Sequence, residues 1–129
     1  MRRLVVDVRP GDHTVVRLPA DAPVPPGLLD VPGFVSVTRT PDELSIVCPT
    51  ERAPESADTQ SGWRLLTVRG PLAFTLTGIM AALSGELAAA GVTLFALSTF
   101  DTDHLLVKEG DLGRATRALA AAGHEITNP

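Results

Sequence analysis

The order of apolar patterns in the second half of the chain constrains its fold more than any other feature. Apolar residues alternate along WRLLTV, which begins at Trp63 and predicts a strand. The next stretch predicts a helix, because apolar side chains recur every three or four positions at Leu76, Met80, Leu83 and Leu87. VTLFALSTF and HLLV predict two more strands, and a second helix precedes the short strand HEIT. This βαββαβ order predicts a ferredoxin-like fold, with one four-stranded antiparallel sheet and two helices on one face.

The first half of the chain predicts mostly strands. Residues 4–8 and 14–18 alternate apolar and polar side chains and predict a hairpin, and FVSVTRT with ELSIVC predicts another. The prolines between the two hairpins leave room for one short helical turn at residues 26–30. Residues 50–62 have no periodicity and many turn-forming residues, so they predict a linker.

These patterns together predict an α+β chain of two modules, a strand-rich module at residues 1–58 and a βαββαβ module at residues 59–129. The first module has too little helix to cover a sheet, and the last strand of the second module is short. We therefore expect the modules to pack closely, through extended sheet pairing or exchange of an end strand. We also expect the chain to form a homodimer.

The composition excludes several classes of partner. The net charge is −4, Lys108 is the only lysine, and the arginines are scattered, whereas a nucleic-acid surface needs clustered positive charge. No apolar run is long enough to span a bilayer, and Asp7 and Arg9 interrupt the start of the chain, which excludes a signal peptide. Cys48 is the only cysteine, so no intramolecular disulfide forms. We expect a cytoplasmic protein that contacts neither nucleic acid nor membrane.

Two neighbouring features could together recognise a small zwitterion. The first helix of the βαββαβ module begins near Thr75, Thr77 and Gly78, and a helix N-terminus presents unpaired N–H groups to an anion. Asp101 and Asp103 lie in the turn between two strands and could accept hydrogen bonds from a cation. A simpler interpretation remains open, in which the two threonines only cap the helix and the acidic residues only form a turn.

The sequence predicts neither a metal site nor catalysis. His13, His104 and His124 lie far apart without the spacing of metal ligands, and two aspartates alone make a poor cation site. No Ser-His-Asp or Cys-His arrangement emerges. We therefore expect no metal, no cofactor and no enzymatic activity.

Three segments resemble the ACT domain: RGPLAFTLTGI, LFALSTFDTDHLLV and the ending GHEI. Together they cover the second half of the chain. The sequence is similar to small bacterial two-module ACT proteins, which are related to the regulatory ACT domains of aspartokinases and to the cytosolic arginine sensor of animals. The resemblance implies an ACT-like N-terminal module and a small ligand, usually an amino acid, held at a module or subunit interface. It also implies a regulatory target, which the sequence does not name.

The resemblance also implies which residues hold the ligand. The elbow PLAFTLTG, residues 71–78 before the first helix, would take a carboxylate, and the turn with Asp101 and Asp103 would take an amine. The implied residues are Phe74, Thr75, Leu76, Thr77, Gly78, Ile79, Ser98, Thr99, Phe100, Asp101, Thr102 and Asp103. Ala73 stands where the aspartokinase-like elbow often has an acidic residue.

Three functions therefore compete. The first is a regulatory ACT-domain protein that binds an amino acid, the second is a structural module that dimerises without a small ligand, and the third is a small enzyme on a ferredoxin-like scaffold. The elbow and the acidic turn favour the first over the second. The missing nucleophile and general base disfavour the third.

Overall fold

The computed structural model describes residues 3–73 and 78–128. In chain order, its strands are β1 (Val5–Val8), β2 (His13–Leu18), β3 (Ser36–Arg39), β4 (Leu44–Pro49), β5 (Thr59–Val68), β6 (Leu94–Ser98), β7 (Asp103–Lys108) and β8 (Glu125–Thr127). The helices are α1 (Ile79–Ala89) and α2 (Leu112–Ala121), and short 3₁₀ turns span Leu28–Asp30, Thr50–Arg52 and Glu109–Asp111. Among the described residues, no helix combines the length and the apolar character that crossing a membrane requires.

The chain forms two compact units. One unit is Gly11–Trp63, and the other unites the described parts of residues 1–10 and 64–129. Strand β5 contributes residues to both units. The predicted division into folding modules 1–58 and 59–129 stays a prediction, while the contacts group residues 3–10 with the C-terminal half.

The C-terminal unit confirms the predicted α+β order βαββαβ, in the elements β5, α1, β6, β7, α2 and β8. Its strands lie in the order β6, β7, β5, β1, β8. Strand β1 runs antiparallel to β5, with Val6 opposite Val68, and parallel to β8, with Val6 opposite Ile126. The sheet of this unit therefore has five strands instead of the four that the sequence predicts.

The predicted hairpin between residues 4–8 and 14–18 is wrong, because β1 lies between β5 and β8. The physical reason is that both faces of β1 are buried: Val6 and Val8 point into the core, and Asp7 on the other face is 5% exposed. A strand with two buried faces belongs inside a sheet, with partners on both edges. The first strand therefore joins the C-terminal unit, and the short last strand stays in that unit beside it.

The core of the C-terminal unit joins the helices to alternate residues of the strands. From α1 and α2 it takes Leu83, Leu87, Ala115 and Leu119, and from the strands it takes Val6, Val8, Leu66, Val68, Leu105 and Val107. The predicted apolar face of the first helix is confirmed at Leu83 and Leu87, and at Met80, which packs against the same cluster. Leu76, the fourth residue of that face, lies outside the described residues. Gly91 ends this helix region with φ of 74°, a conformation that favours glycine.

The unit Gly11–Trp63 has a smaller core, which four strands surround. Its strands pair in the order β3, β4, β2, β5, and the core contains Val16, Leu28, Leu44, Ile46 and Cys48. The turn Leu28–Asp30 confirms the helical turn predicted near residues 26–30. The predicted linker is wrong at its end, because β5 begins at Thr59 and pairs with Val16. The first residues of β5 are exposed and polar, so they carry no apolar pattern.

Candidate ligand site

The turn between β6 and β7 is held by its own hydrogen bonds. Thr99 donates its backbone N–H to the carbonyl of Thr102 at 2.8 Å, and its hydroxyl donates to the same carbonyl at 3.1 Å. The Ser98 hydroxyl donates to Oδ1 of Asp103 at 2.6 Å. These contacts fix one of the two predicted carboxylates at the base of the turn. We call residues 98–103 the acidic turn.

The acidic turn is also attached to the end of β5 and to the elbow that follows it. The Thr102 side chain is buried, and its hydroxyl donates to the carbonyl of Val68 at 2.5 Å. Leu72 in the elbow donates its N–H to the carbonyl of Asp101 at 2.6 Å. The turn and the elbow, which lie about thirty positions apart in sequence, thus form one structure.

A glycine allows this close approach of elbow and turn. A Cβ atom at Gly70 would lie 2.9 Å from the carbonyl oxygen of Asp101 and 3.1 Å from Cβ of Thr102. The first of these contacts is to backbone, which cannot rotate away as a flexible side chain can. Any larger residue at position 70 would therefore push the elbow and the acidic turn apart.

A cavity of about 310 Å³ lies beside the elbow and the acidic turn, and we call it the turn–elbow cavity. Its lining comprises Leu72, Ala73, Gly78, Ile79, Met80, Ala81, Ser98, Thr99, Phe100, Asp101, Thr102 and Asp103. Every predicted site residue that the structure describes lines this cavity. The other predicted site residues, Phe74, Thr75, Leu76 and Thr77, lie outside the described residues.

The N-terminus of α1 faces the same cavity, since Gly78 and Ile79 are among the lining residues. Gly78 occupies the N-cap position with φ of 77° and, having no side chain, provides no cap acceptor. The predicted caps Thr75 and Thr77 lie outside the described residues. Ala82 donates to the carbonyl of Gly78 at 2.9 Å, which starts the helix, and the N–H groups of the first turn carry the positive end of the helix dipole.

The electrostatics of the cavity combine this positive helix end with two carboxylates. Asp101 is exposed and Asp103 is half-buried. Phe100 lies between Thr99 and Asp101 in the chain. It is 78% exposed and adds an apolar surface to the rim of the cavity. The arrangement can pair with an anion at one end and a cation at the other.

His104 is a residue whose contacts the sequence did not reveal. Its Nδ1 lies 3.1 Å from the Thr67 hydroxyl, and its Nε2 lies 3.3 Å from the Thr99 hydroxyl. Burial lowers the pKa of His104, while the neighbouring Asp103 carboxylate raises it and Arg9 lowers it further. The sequence did not reveal these contacts, because the neighbours of a strand residue depend on strand pairing that the sequence does not show.

Asp7 and Arg69 form an ion pair close to the elbow. Two guanidinium nitrogens of Arg69 donate to the Asp7 carboxylate, at 2.6 and 3.2 Å, and Thr127 also donates to it. The hydrogen bond from Arg69 holds the pKa of Asp7 below its usual value against the opposing effect of burial. The Asp7 carboxylate is buried because β1 lies inside the sheet, and Arg69 supplies its hydrogen bonds. The role of this ion pair is therefore structural.

The described residues contain no group of three or more His, Cys, Asp or Glu side chains arranged to hold a metal ion.

Comparisons with known proteins give the family. Residues 58–121 match the model of the ACT domain, and residues 11–56 match a model for the N-terminal domain of a group of related proteins. A crystal structure of a protein from Agobacterium tumefaciens is 40% identical, covers 100% of this chain and 96% of that chain, and has a TM-score of 0.91.

Curated relatives and more distant structures agree. The cytosolic arginine sensor for mTORC1 subunit 1 of Mus musculus is 42% identical over 84 residues, which are 64% of this chain and 25% of that protein. The human sensor is 41% identical over 58 residues, 44% of this chain and 18% of that protein. The chain thus spans a quarter or less of these relatives. An aspartate kinase from Synechocystis shares the fold, with 18% identity, a TM-score of 0.68, and coverage of 96% of this chain and 27% of that chain.

The βαββαβ order, the domain match and the full-length similarity to the Agobacterium protein lead to one conclusion: the chain belongs to the family of ACT-domain proteins, with their ferredoxin-like α+β fold.

Proposed function

We propose that this protein is a regulatory ACT-domain protein that binds a free amino acid, or a similar small zwitterion, in the turn–elbow cavity. One observation carries the proposal: the N-terminus of α1 and the two carboxylates of the acidic turn line the same cavity. The ligand carboxylate would accept hydrogen bonds from the N–H groups that follow Gly78. The ligand amine would donate to Asp101 and Asp103.

The chemistry of the lining supports an amino acid over a nucleotide. The described lining contains no lysine or arginine, so a polyphosphate would lack countercharge there. The volume of about 310 Å³ is at the small end of the range for ligand sites. The predicted contacts at Phe74, Thr75, Leu76 and Thr77 belong to the same proposal, because they connect two parts of the lining along the chain.

The relatives suggest which amino acid to test first. Residues of this chain align with part of a cytosolic arginine sensor at about two-fifths identity, so L-arginine is the first candidate. Ala73 lines the cavity where the aspartokinase-like elbow often has a carboxylate, and this difference can change side-chain preference. All twenty amino acids therefore need to be compared.

The alternative is a structural module that dimerises without a small ligand. Such a module needs the turn to reverse the chain, but it does not need two carboxylates beside a helix N-terminus. A homodimer, an as yet unnamed regulatory target and a cytoplasmic location remain parts of our proposal; a cytosolic relative supports the last of these.

Thermal unfolding with each amino acid tests the proposal, since a ligand that binds only the folded state raises the melting temperature. We expect Asp103→Ala to abolish the shift. The melting temperature without ligand should fall only slightly, because the substitution removes one hydrogen bond, from the exposed Ser98, which contributes about 1 kcal/mol or less. Asp42→Ala, in the turn between β3 and β4, is the matched control and should keep the full shift.

The double variant Asp101→Ala, Asp103→Ala gives the decisive negative result. If it bound the amino acid as tightly as the unaltered protein, the acidic turn would serve only to reverse the chain. Binding of ATP with no response to any amino acid would equally contradict the proposal.

A further inference from the structure

His104 joins the middle of the C-terminal sheet to the acidic turn. Its Nδ1 lies within hydrogen-bond distance of the Thr67 hydroxyl on β5, and its Nε2 lies within hydrogen-bond distance of the Thr99 hydroxyl in the turn. Thr67 is buried, at 7% exposure, so this end of the contact is held by the sheet. The imidazole therefore connects a fixed strand to a residue that lines the turn–elbow cavity.

The hydrogen bonds around Thr99 favour one tautomer of His104. A threonine hydroxyl has one hydrogen to donate, and that of Thr99 goes to the carbonyl of Thr102 at 3.1 Å. With its hydrogen on that carbonyl, the hydroxyl is an acceptor towards His104, an arrangement that favours the tautomer with the proton on Nε2. In a neutral imidazole Nδ1 is then the acceptor, and the Thr67 hydroxyl donates to it.

Several charges surround the imidazole. Asp103 precedes it on the same strand, and the guanidinium of Arg9 acts on it from the start of the chain. A second cavity of about 430 Å³, which His104 lines, also contains Asp7, Arg69 and Asp101. Asp7 and Arg69 are paired with each other, and Asp103 is the carboxylate that raises the pKa of His104.

Burial and Arg9 together keep His104 neutral at neutral pH. Both lower the pKa of the imidazole, and the opposing effect of Asp103 is smaller than that of burial. Protonation therefore occurs below the ordinary histidine range, and it has two consequences. Nδ1 gains a hydrogen and can no longer accept from Thr67, and a positive charge appears beside the Asp103 carboxylate.

We propose that neutral His104 is a positioning residue of the ligand site, which holds Thr99 and the acidic turn in place, and that its protonation weakens amino-acid binding. The inference rests on the proposed function, because it takes Asp103 as an acceptor for the ligand amine. Protonated His104 and the ligand ammonium compete for the same carboxylate. By reciprocity, a bound ammonium lowers the pKa of His104 further.

The tautomer and the charge can be tested without any ligand. Nitrogen-15 NMR of the imidazole should show the Nε2–H tautomer at about pH 7.5, where a histidine of lowered pKa is neutral. Asp103→Asn should lower the pKa of His104 further, because it removes the charge that raises it. An Nδ1–H tautomer, or a charged ring at this pH, would overturn the proposal.

Two variants separate the positioning role from the charge. His104→Gln keeps a side-chain N–H that can reach Thr99 but never ionises, whereas His104→Phe keeps a ring that makes no hydrogen bond. The backbone N–H of Thr99, which donates to Thr102, should exchange with solvent faster in His104→Phe than in His104→Gln. Equal exchange rates in the two variants would show that His104 does not position the turn.

Binding of L-arginine to the full chain tests the effect of protonation. Between about pH 7.5 and the lower pH at which NMR shows the imidazole of His104 protonated, we expect the affinity to fall about fivefold, the size of effect that two charges a few ångströms apart produce in a solvent-exposed site. The affinity of His104→Gln should stay constant over this range, and an equal fall in that variant would overturn the proposal. If neither L-arginine nor another amino acid bound, the proposed function and the proton effect would both fail, and the NMR and exchange measurements would still decide the positioning role.

Discussion

Two hairpin turns in this protein look alike in sequence and differ in structure. Between β3 and β4, Thr40 starts the turn TPDE; its N–H donates to the carbonyl of Glu43, and its hydroxyl accepts from the N–H groups of Asp42 and Glu43. Between β6 and β7, Thr99 starts the turn TFDTD, and here too the first threonine closes the turn. Each turn has a threonine in its first position and an aspartate after it.

The acidic turn makes contacts that a chain reversal does not need. Among the described residues, the hydrogen bonds that close the first turn join Thr40 to Asp42 and Glu43. The acidic turn, in contrast, bonds to Val68 through Thr102, to the elbow through the carbonyl of Asp101, and to His104 through Thr99. Two turns that begin alike in sequence can therefore differ, one being self-contained and the other fixed by its surroundings, and only the fixed turn suits a binding site.

Gly70→Ala is expected to have the largest effect on the contacts that distinguish the acidic turn from the other turn. The added Cβ would meet the backbone oxygen of Asp101 at 2.9 Å, so the acidic turn must move away from the elbow. We expect a loss of about 1–3 kcal/mol in the free energy of unfolding, the usual range for overpacking, and loss of the amino-acid response. Urea unfolding and thermal shift measure the two effects.

The control for this substitution is Gly110→Ala. A Cβ at Gly110 would meet nothing within 4 Å, so the free energy of unfolding should change by about 0.5 kcal/mol or less. Equal losses of unfolding free energy in the two variants would show that the close contact of Gly70 with the acidic turn does not contribute to stability.

A smaller effect is expected from Thr102→Val, which keeps the side-chain shape and removes one hydroxyl. The hydroxyl is buried and donates to the carbonyl of Val68, and loss of such a hydrogen bond costs about 1–2 kcal/mol. Thr40→Val removes the corresponding contact in the other turn, where the neighbouring groups can bond to water instead, and should cost about 0.5 kcal/mol. If urea unfolding showed a larger loss of unfolding free energy for Thr40→Val than for Thr102→Val, the acidic turn would not be the more firmly held of the two turns.

Local patterns explain what the sequence predicted correctly. The apolar repeat of α1 was readable because Leu83 and Leu87 both face one core, and the order of elements in the second half followed from such repeats. The partner of β1 was not readable, because strand pairing depends on residues more than fifty positions away, such as Val68. The start of β5 was missed because Thr59 and Gln60 are exposed and polar.

The candidate site likewise has contacts that follow from the local sequence and contacts that depend on distant strand pairing. That Ser98 and Asp103 lie together follows from hairpin geometry, since they face each other across β6 and β7. The contact of the elbow with the acidic turn at Gly70, and that of His104 with Thr67, depend on how β7 is placed beside β5. The assignment of the cavity residues to ligand binding stays a prediction.

The smallest effect on stability, and the sharpest comparison, is expected from Ser98→Ala. Ser98 is exposed, so losing its hydroxyl should change the free energy of unfolding by about 0.5 kcal/mol or less. The hydroxyl nevertheless orients Asp103, with a donor–acceptor distance of 2.6 Å, and a carboxylate released from this bond must be ordered again when a ligand amine binds. We therefore expect amino-acid affinity, measured by calorimetry, to fall about threefold to tenfold, the range that corresponds to one hydrogen bond. Thr38→Ala, at an exposed position on β3 near the other turn, should change neither quantity. An unchanged affinity in Ser98→Ala would mean that Asp103 needs no support from its own turn, and the distinction between the two turns would then rest on Thr102 and the elbow alone.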